Sequence, residues 1–442
     1  MTDTVPTAGR DRVAHQRLDQ VALLGPVSKR SVTVGPSAGS DAIVDLIAQA
    51  TTWPAGAIHL DVDATATDPL TTTPTSTAVP PAIDERTIEA AEQLLANARR
   101  PLLIVGAEAA AVAATGFGEL RPGHLTEVLS RFGAPVLTTY QAIGVVPTES
   151  DANAGIFTNG ALERPVLDAA DAVVTVGLDL VEPIPAPWTV DAPVLRLSSG
   201  PQEDEYLAAD VDLVTDWPSL AAVLAGQAGR RWGWADRAAA QFRTEARAAL
   251  ECPPPPSGIG PVELVDALST NGPAAGTVTV DAGAHFLAIV PRWPVDAPHR
   301  LLISNGLATM GYAVPAAIGA ALARPEEPVL ALTGDGGLAM TMAELETIAR
   351  LDLPVSVVVF NDSALSLIEI KQGMGNGGRG AVRYRPTDFA SIAEASGLDG
   401  VRVSTVDELV ACCRSADWSR PRLIDAEIDP SAYRHLLQAT RG

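Results

Sequence analysis

Short apolar runs alternating with amphipathic stretches fill most of the chain. Pro101-Leu-Leu-Ile-Val-Gly106, Ala134-Pro-Val-Leu-Thr138, Asp171-Ala-Val-Val-Thr-Val-Gly177 and Pro193-Val-Leu-Arg-Leu197 are continuous enough for strands buried on both faces, as in a parallel sheet covered by helices. Between them, Thr87–Ala98 and Leu125–Phe132 carry helical spacing of apolar residues. The rhythm returns after Gly260, with strands predicted at Thr277–Val280, Arg300–Ile303, Val329–Thr333, Val355–Phe360 and Arg422–Glu427. Strands alternating with helices predict an α/β protein with doubly wound parallel sheets. Ahead of these blocks, Val27–Val34 and Gly56–Val62 read as strands around a helix over Asp41–Ala50. That unit is too small to bury a core by itself. The Thr/Pro-rich run Ala64–Pro81 and the tetraproline Pro253–Pro256 interrupt the pattern and read as exposed connections.

Composition narrows the function classes. The 442 residues are 47% hydrophobic and 19% charged, with a formal charge of −22. A charge of that sign excludes nucleic acid and anionic membrane as natural partners, since both reward a basic surface. The first ten residues lack the apolar core of a signal peptide, and the apolar stretch Ala308–Ala323 is interrupted by Gly and Pro. Three cysteines, Cys252, Cys412 and Cys413, suit neither a disulfide framework nor a metal site. They read as packing thiols in a reducing, cytoplasmic setting.

The chemistry concentrates in Leu330-Ala-Leu-Thr-Gly-Asp-Gly-Gly337 and, one strand later, Asn361-Asp362. Gly334, Gly336 and Gly337 let backbone approach a ligand and turn N–H groups towards it ahead of a helix. Asp335 and Asp362 both fall at the carboxyl edge of neighbouring strands, where open α/β sheets bind ligands. Two carboxylates, a backbone carbonyl just beyond at Ala364, diphosphate oxygens and water would complete the oxygen shell of Mg2+. A lone Gly-Asp-Gly is equally a tight turn; its coupling to the pair after the next strand is what carries weight. Other residues keep plain readings. Met310 suits a core position and His285 a strand end, while Glu344 and Glu346 suit a solvated helix face. Glu369 and Lys371 could form a charge pair, and Gln372–Gly380 reads as a Gly-rich loop with a lid role open to it.

This spacing resembles the motif of thiamine-diphosphate (ThDP) enzymes, Gly-Asp-Gly followed after some two dozen residues by Asn-Asn. The likeness extends along nearly the whole chain. Ser304-Asn-Gly-Leu-Ala-Thr-Met-Gly-Tyr-Ala-Val-Pro315 and the residues to Ala320 resemble the segment that precedes Gly-Asp-Gly in the acetolactate synthase and benzoylformate decarboxylase group. The resemblance implies that Met310 wedges the cofactor into its bent form. It also implies that the Ala308 carbonyl and the Met310 N–H hold the aminopyrimidine. Val280-Asp-Ala-Gly-Ala-His-Phe286 is similar to a loop that touches the diphosphate, which nominates Gly283, Ala284 and His285. The implied division is a carboxyl-terminal remnant of a pyrimidine-binding domain (1–70), a linker (71–83), a central Rossmann-like domain (84–235), a second linker (236–259) and a diphosphate- and Mg2+-binding domain (260–442). The family usually has Asn where Asp362 stands, so an extra negative charge would oppose the diphosphate. Some relatives hold FAD in the central domain, but no Gly-x-Gly-x-x-Gly follows Leu102–Val105, and FAD is not favoured.

One part of the family pattern has no counterpart. The glutamate that activates the cofactor belongs to the early pyrimidine-binding domain, and the first glutamates here are Glu85 and Glu89. Residues 10–29 resemble the later part of that domain. The expected activity is decarboxylation of a 2-oxo acid with transfer to a second carbonyl, completed by a separate polypeptide or a further segment. Simple decarboxylation, carbon–carbon lyase activity and a non-catalytic cofactor-binding subunit are the alternatives. A homo-oligomer is expected, with the cofactor between subunits.

Overall fold

A computed structural model describes residues 2–4, 18–34, 40–51, 55–63, 85–184, 186–202, 207–273, 276–374 and 381–442. The linker read at 71–83 and the glycine-rich 375–380 lie outside these residues. The amino-terminal unit is a three-stranded parallel sheet in the order β1-β3-β2, from β1 (Thr2–Thr4), β2 (Arg30–Val34) and β3 (Ile58–Asp63), with a helix over Ser40–Thr51. β1 was not legible in advance. Its Thr2 hydroxyl bonds the buried His59 and Asp61 of β3, so polar side chains, not an apolar run, hold it. β2 starts later than Val27 because Gly25–Val27 forms a 3-10 turn around Pro26, which has no N–H to give a strand partner.

The second unit contains two six-stranded parallel sheets. The first comprises β4 (Pro101–Val105), β5 (Val136–Thr138), β6 (Asn153–Ile156), β7 (Ala172–Val176), β8 (Val194–Ser198) and β9 (Val211–Val214), in the order β6-β5-β4-β7-β8-β9. The second comprises β10 (Thr277–Val280), β11 (Leu301–Ile303), β12 (Val329–Gly334), β13 (Val355–Asn361), β14 (Asp399–Val403) and β15 (Arg422–Glu427), in the order β11-β10-β12-β13-β15-β14. The α/β, doubly wound class expected from the alternation is thus the observed one. β4, β7 and β13 are buried along their whole length, which accounts for their unbroken apolar runs. β6, β9 and β14 escaped the pattern because they are short edge or near-edge strands carrying Asn, Asp or Arg.

The stretch 236–259, read as a linker, instead contains a helix over Ala238–Ala249. Alanine-rich sequence favours the helix, and Ala238, Ala239 and Ala240 bury its first turn. The tetraproline lies just beyond it.

Each six-stranded sheet has a point where the connections leaving two neighbouring strands run to opposite sides. In the second sheet it lies between β10 and β12, since β11 is laid down on one side of β10 and β12 on the other. In the first it lies between β4 and β7. Loops leaving such neighbouring strands diverge and open a crevice at the carboxyl edge.

Candidate active site

At the β10/β12 reversal the crevice is open. It holds a cavity of about 180 Å³ that opens to solvent. Loops from three strands meet there: Ala282–His285 after β10, Gly334–Gly337 at the end of β12, and Asp362 with Ala364–Ile368 after β13. Ala308 and Met310, from the loop after β11, close one side, and Tyr433 of the last helix another. Every residue nominated from the sequence, Gly283, Ala284, His285, Ala308, Met310, Gly334, Asp335, Gly336, Gly337, Asp362 and Ala364, therefore lines one cleft.

The glycines are small for reasons of packing as much as of approach. A Cβ on Gly336 would stand 2.6 Å from Leu365 Cδ2 and 3.3 Å from Met310 Cε; one on Gly337 would stand 2.4 Å from Asp281 Oδ2. The Gly336 N–H, expected to face a ligand, instead donates to Asp335 Oδ1 at 2.7 Å. A carboxylate one residue back is a nearer acceptor than anything in the cleft.

Asp335 is 2% exposed. Its Oδ2 accepts the Ser363 N–H at 2.6 Å, and its Oδ1 also accepts the Tyr384 hydroxyl at 2.6 Å. Asp362 accepts the Ala364 N–H at 3.1 Å and the Ser366 hydroxyl. Burial pushes both carboxyls up, Asp362 to about 7; the Ser366 hydrogen bond works against that rise and the Asp335 charge adds to it. A hard divalent cation is the partner whose charge would offset both carboxylates. Among the described residues no cluster of three or more His, Cys, Asp or Glu surrounds a point, so any such ion would take the rest of its shell from carbonyls, ligand oxygens or water. The turn at Ser363 has φ of 59°, a left-handed conformation costly for a serine. That turn aims the Ser363 N–H at Asp335.

His285 is buried, with burial pushing its imidazole down to about 4 against the opposing Asp281 charge and a hydrogen bond to the Asp281 backbone. Its Nε2 has no hydrogen-bond partner among the described residues. A buried ring nitrogen without a partner is costly in a closed core, so a polar ligand group in the cleft is its natural complement. Ala308, with φ of 47°, is a second strained non-glycine residue at the same cleft.

Asp281, which pattern reading passed over, ties these loops together. Its carboxylate accepts N–H groups from Ala282 (2.9 Å), Gly311 (3.0 Å) and Tyr312 (3.2 Å) and the Thr333 hydroxyl (2.8 Å). One buried side chain thus fixes the Met310 loop to the ends of β10 and β12. The signal available was its place directly after a predicted strand, ahead of Ala-Gly. Tyr384, Ser366 and Tyr433 gave no such signal.

Comparison with known proteins agrees with this arrangement. Residues 281–426 match the model described as the thiamine pyrophosphate enzyme, C-terminal TPP binding domain, and residues 88–224 match the thiamine pyrophosphate enzyme, central domain. The chain belongs to the ThDP-dependent enzyme family. Within this family it is similar to an acetolactate synthase of Bacillus subtilis (strain 168), 29% identical over 98% of the chain and 77% of the relative. The acetolactate synthase isozyme 3 large subunit of Escherichia coli (strain K12) is 28% identical over 80% of the chain, which spans 64% of it. A probable acetolactate synthase large subunit of Methanocaldococcus jannaschii is 25% identical over 98% of the chain and 76% of its own length.

The central sheet of this ThDP-family chain treats its own reversal point differently. The crevice between β4 and β7 is filled by Glu182, whose carboxylate accepts the Ala107 N–H (2.9 Å), the Asp179 N–H (3.0 Å) and the Thr139 hydroxyl. A Cβ on Gly106 would lie 2.4 Å from Leu178 Cα. Gly106 thus has no room for a side chain against the end of β7. Elsewhere, Glu369 pairs with Arg383 at 2.8 Å, not with Lys371, because the segment after 380 folds back against its helix. The three cysteines are free, and burial pushes the Cys413 thiol up to about 11. Among the described residues no helix is long and apolar enough to cross a membrane.

Proposed function

We propose that this chain is a ThDP- and Mg2+-dependent carboligase of the acetolactate synthase type, acting on a 2-oxo acid. The observation that carries the reading is the single cleft at the β10/β12 reversal, where the paired carboxylates, the unpartnered His285 Nε2 and the strained Ala308 converge. Asp335, Asp362 and the Ala364 carbonyl would hold Mg2+. The backbone bonds of the adjoining ribbon use the Ser363 carbonyl and the Leu365 N–H, and so leave the Ala364 carbonyl outside it. Gly283, Ala284, His285 and the Gly334–Gly337 turn would receive the diphosphate. The Ala308 carbonyl and the Met310 N–H would receive the pyrimidine, with the half-buried Met310 side chain, which reaches towards Gly336, as the wedge. When bound, ThDP supplies the electron sink that 2-oxo acid decarboxylation requires. The protein's part is to bind, orient and exclude water.

No glutamate lines the cleft among the described residues, so we place the activating carboxylate on a pyrimidine-domain segment brought by a further part of the polypeptide or by a separate subunit. The relatives named acetolactate synthases support a 2-oxo acid as substrate. The plugged β4/β7 crevice supports a chain that holds no FAD, which absence of a flavin band in the visible spectrum of the purified protein tests. Calorimetry with Mg2+ and ThDP tests the cofactor reading: heat only when both are present is expected, and silence refutes it. Product analysis with pyruvate and an acceptor aldehyde then separates carboligation from simple decarboxylation or carbon–carbon cleavage. Binding with no turnover under any complementation would identify a cofactor-binding subunit.

A further inference from the structure

Asp335 has two carboxylate oxygens with very different commitments. Oδ1 accepts both the Gly336 N–H and the Tyr384 hydroxyl, whereas Oδ2 accepts the Ser363 N–H. A carboxylate oxygen has two lone-pair sites, so Oδ1 is saturated. We infer that Tyr384 is a positioning residue that restricts Asp335 to one-oxygen coordination and so selects Mg2+ over Ca2+ at this site.

The tyrosine is well placed for this. Residues 382–384 form a short antiparallel ribbon with the turn that follows Asp362. The Leu365 N–H donates to the Val382 carbonyl at 2.7 Å, and the Tyr384 N–H donates to the Ser363 carbonyl at 3.1 Å. Arg383, between them, forks onto Glu369 at 2.8 and 2.9 Å. The backbone that carries the phenol is thus bound to the same turn that supplies the other donor to Asp335. Tyr384 is 38% exposed and belongs to no apolar core cluster, so packing alone does not account for its position.

The selectivity follows from ion size. Ca2+ accepts six to eight oxygens in flexible geometry and often takes a carboxylate by both oxygens, whereas Mg2+ demands a near-octahedral shell and prefers single oxygens with retained water. Filling Oδ1 with two donors removes the two-oxygen mode. Freeing it reopens that mode. Donors of this kind orient metal ligands, and their loss typically lowers metal affinity by about 10- to 100-fold.

This inference rests on the Mg2+ reading above. The test compares wild type with Tyr384→Phe, which keeps the ring and removes the hydroxyl. Mg2+ and Ca2+ affinities are measured separately by calorimetry in the presence of ThDP. The expected result is a loss of Mg2+ affinity of roughly 10-fold or more with a smaller loss, or a gain, for Ca2+, so that the Mg2+/Ca2+ ratio narrows. Unchanged affinities, or equal losses for both ions, overturn the role of Tyr384 while leaving the metal site standing. Wild type that binds neither ion overturns the metal reading itself. Thermal melting without metal guards against a folding defect: a lowered melting temperature calls for Tyr384→His, whose ring can also donate and is expected to recover part of the Mg2+ preference. Failure of that recovery counts against the inference.

Discussion

Replacing Glu182 by glutamine tests whether the central crevice is closed by a carboxylate the protein must keep partly protonated. Burial raises this carboxyl from its ordinary 4.5 to about 7, against the opposing hydrogen bonds from Thr139, Ala107 and Asp179. A raised pKa means that the folded chain binds the proton more tightly than the unfolded chain. The corresponding stability is fully present below about pH 4.5 and is lost as pH rises through about 7. At 1.36 kcal/mol per unit, the loss is about 3 kcal/mol, a large share of a typical folding free energy. Glutamine cannot ionise. Its carbonyl oxygen can still accept the Ala107 and Asp179 N–H groups, and its amide can donate to the Thr139 hydroxyl. The variant is therefore expected to gain about 3 kcal/mol on wild type between about pH 5 and about pH 8. Urea unfolding at several pH values, followed by the fluorescence of the buried Trp217 and Trp232, would show it. Parallel stability curves for the two proteins across that range would refute both the burial argument and the closed crevice built on it.

Other perturbations address the open cleft. Asp281→Asn replaces one of two acceptor oxygens by an amide N–H2, so that either the Gly311 N–H (Oδ2) or the Ala282 and Tyr312 N–H groups (Oδ1) lose their acceptor, and it is expected to destabilise by about 2 kcal/mol; limited proteolysis should then cut within 304–312 earlier than in wild type. Gly337→Ala drives a methyl to 2.4 Å from Asp281 Oδ2 and is expected to cost about 1–3 kcal/mol, measured by thermal melting. Asp335→Asn should abolish Mg2+-dependent ThDP binding by calorimetry. Asp362→Asn keeps a neutral oxygen ligand and removes one of two buried charges, so its binding should stay within about tenfold of wild type.

Sequence alone determined the class of fold and the place of the chemistry. Runs such as those of β4, β7, β12 and β13 are apolar because both faces are covered, and the Gly-Asp-Gly and Asn-Asp pair marks the ends of adjacent strands whatever the loops do. These are local signals, readable from neighbours in the chain. What depends on residues far apart was not readable: Tyr384 reaches Asp335 across 49 positions and Asp281 reaches Thr333 across 52. The same holds for the contrast between the two sheets. Both have a reversal point with a glycine nearby, but only the folded chain brings Glu182 back across 75 positions to fill one of them. A carboxylate placed by distant backbone decides which crevice stays open, because hydrogen bonding acts through space and leaves no period in the sequence.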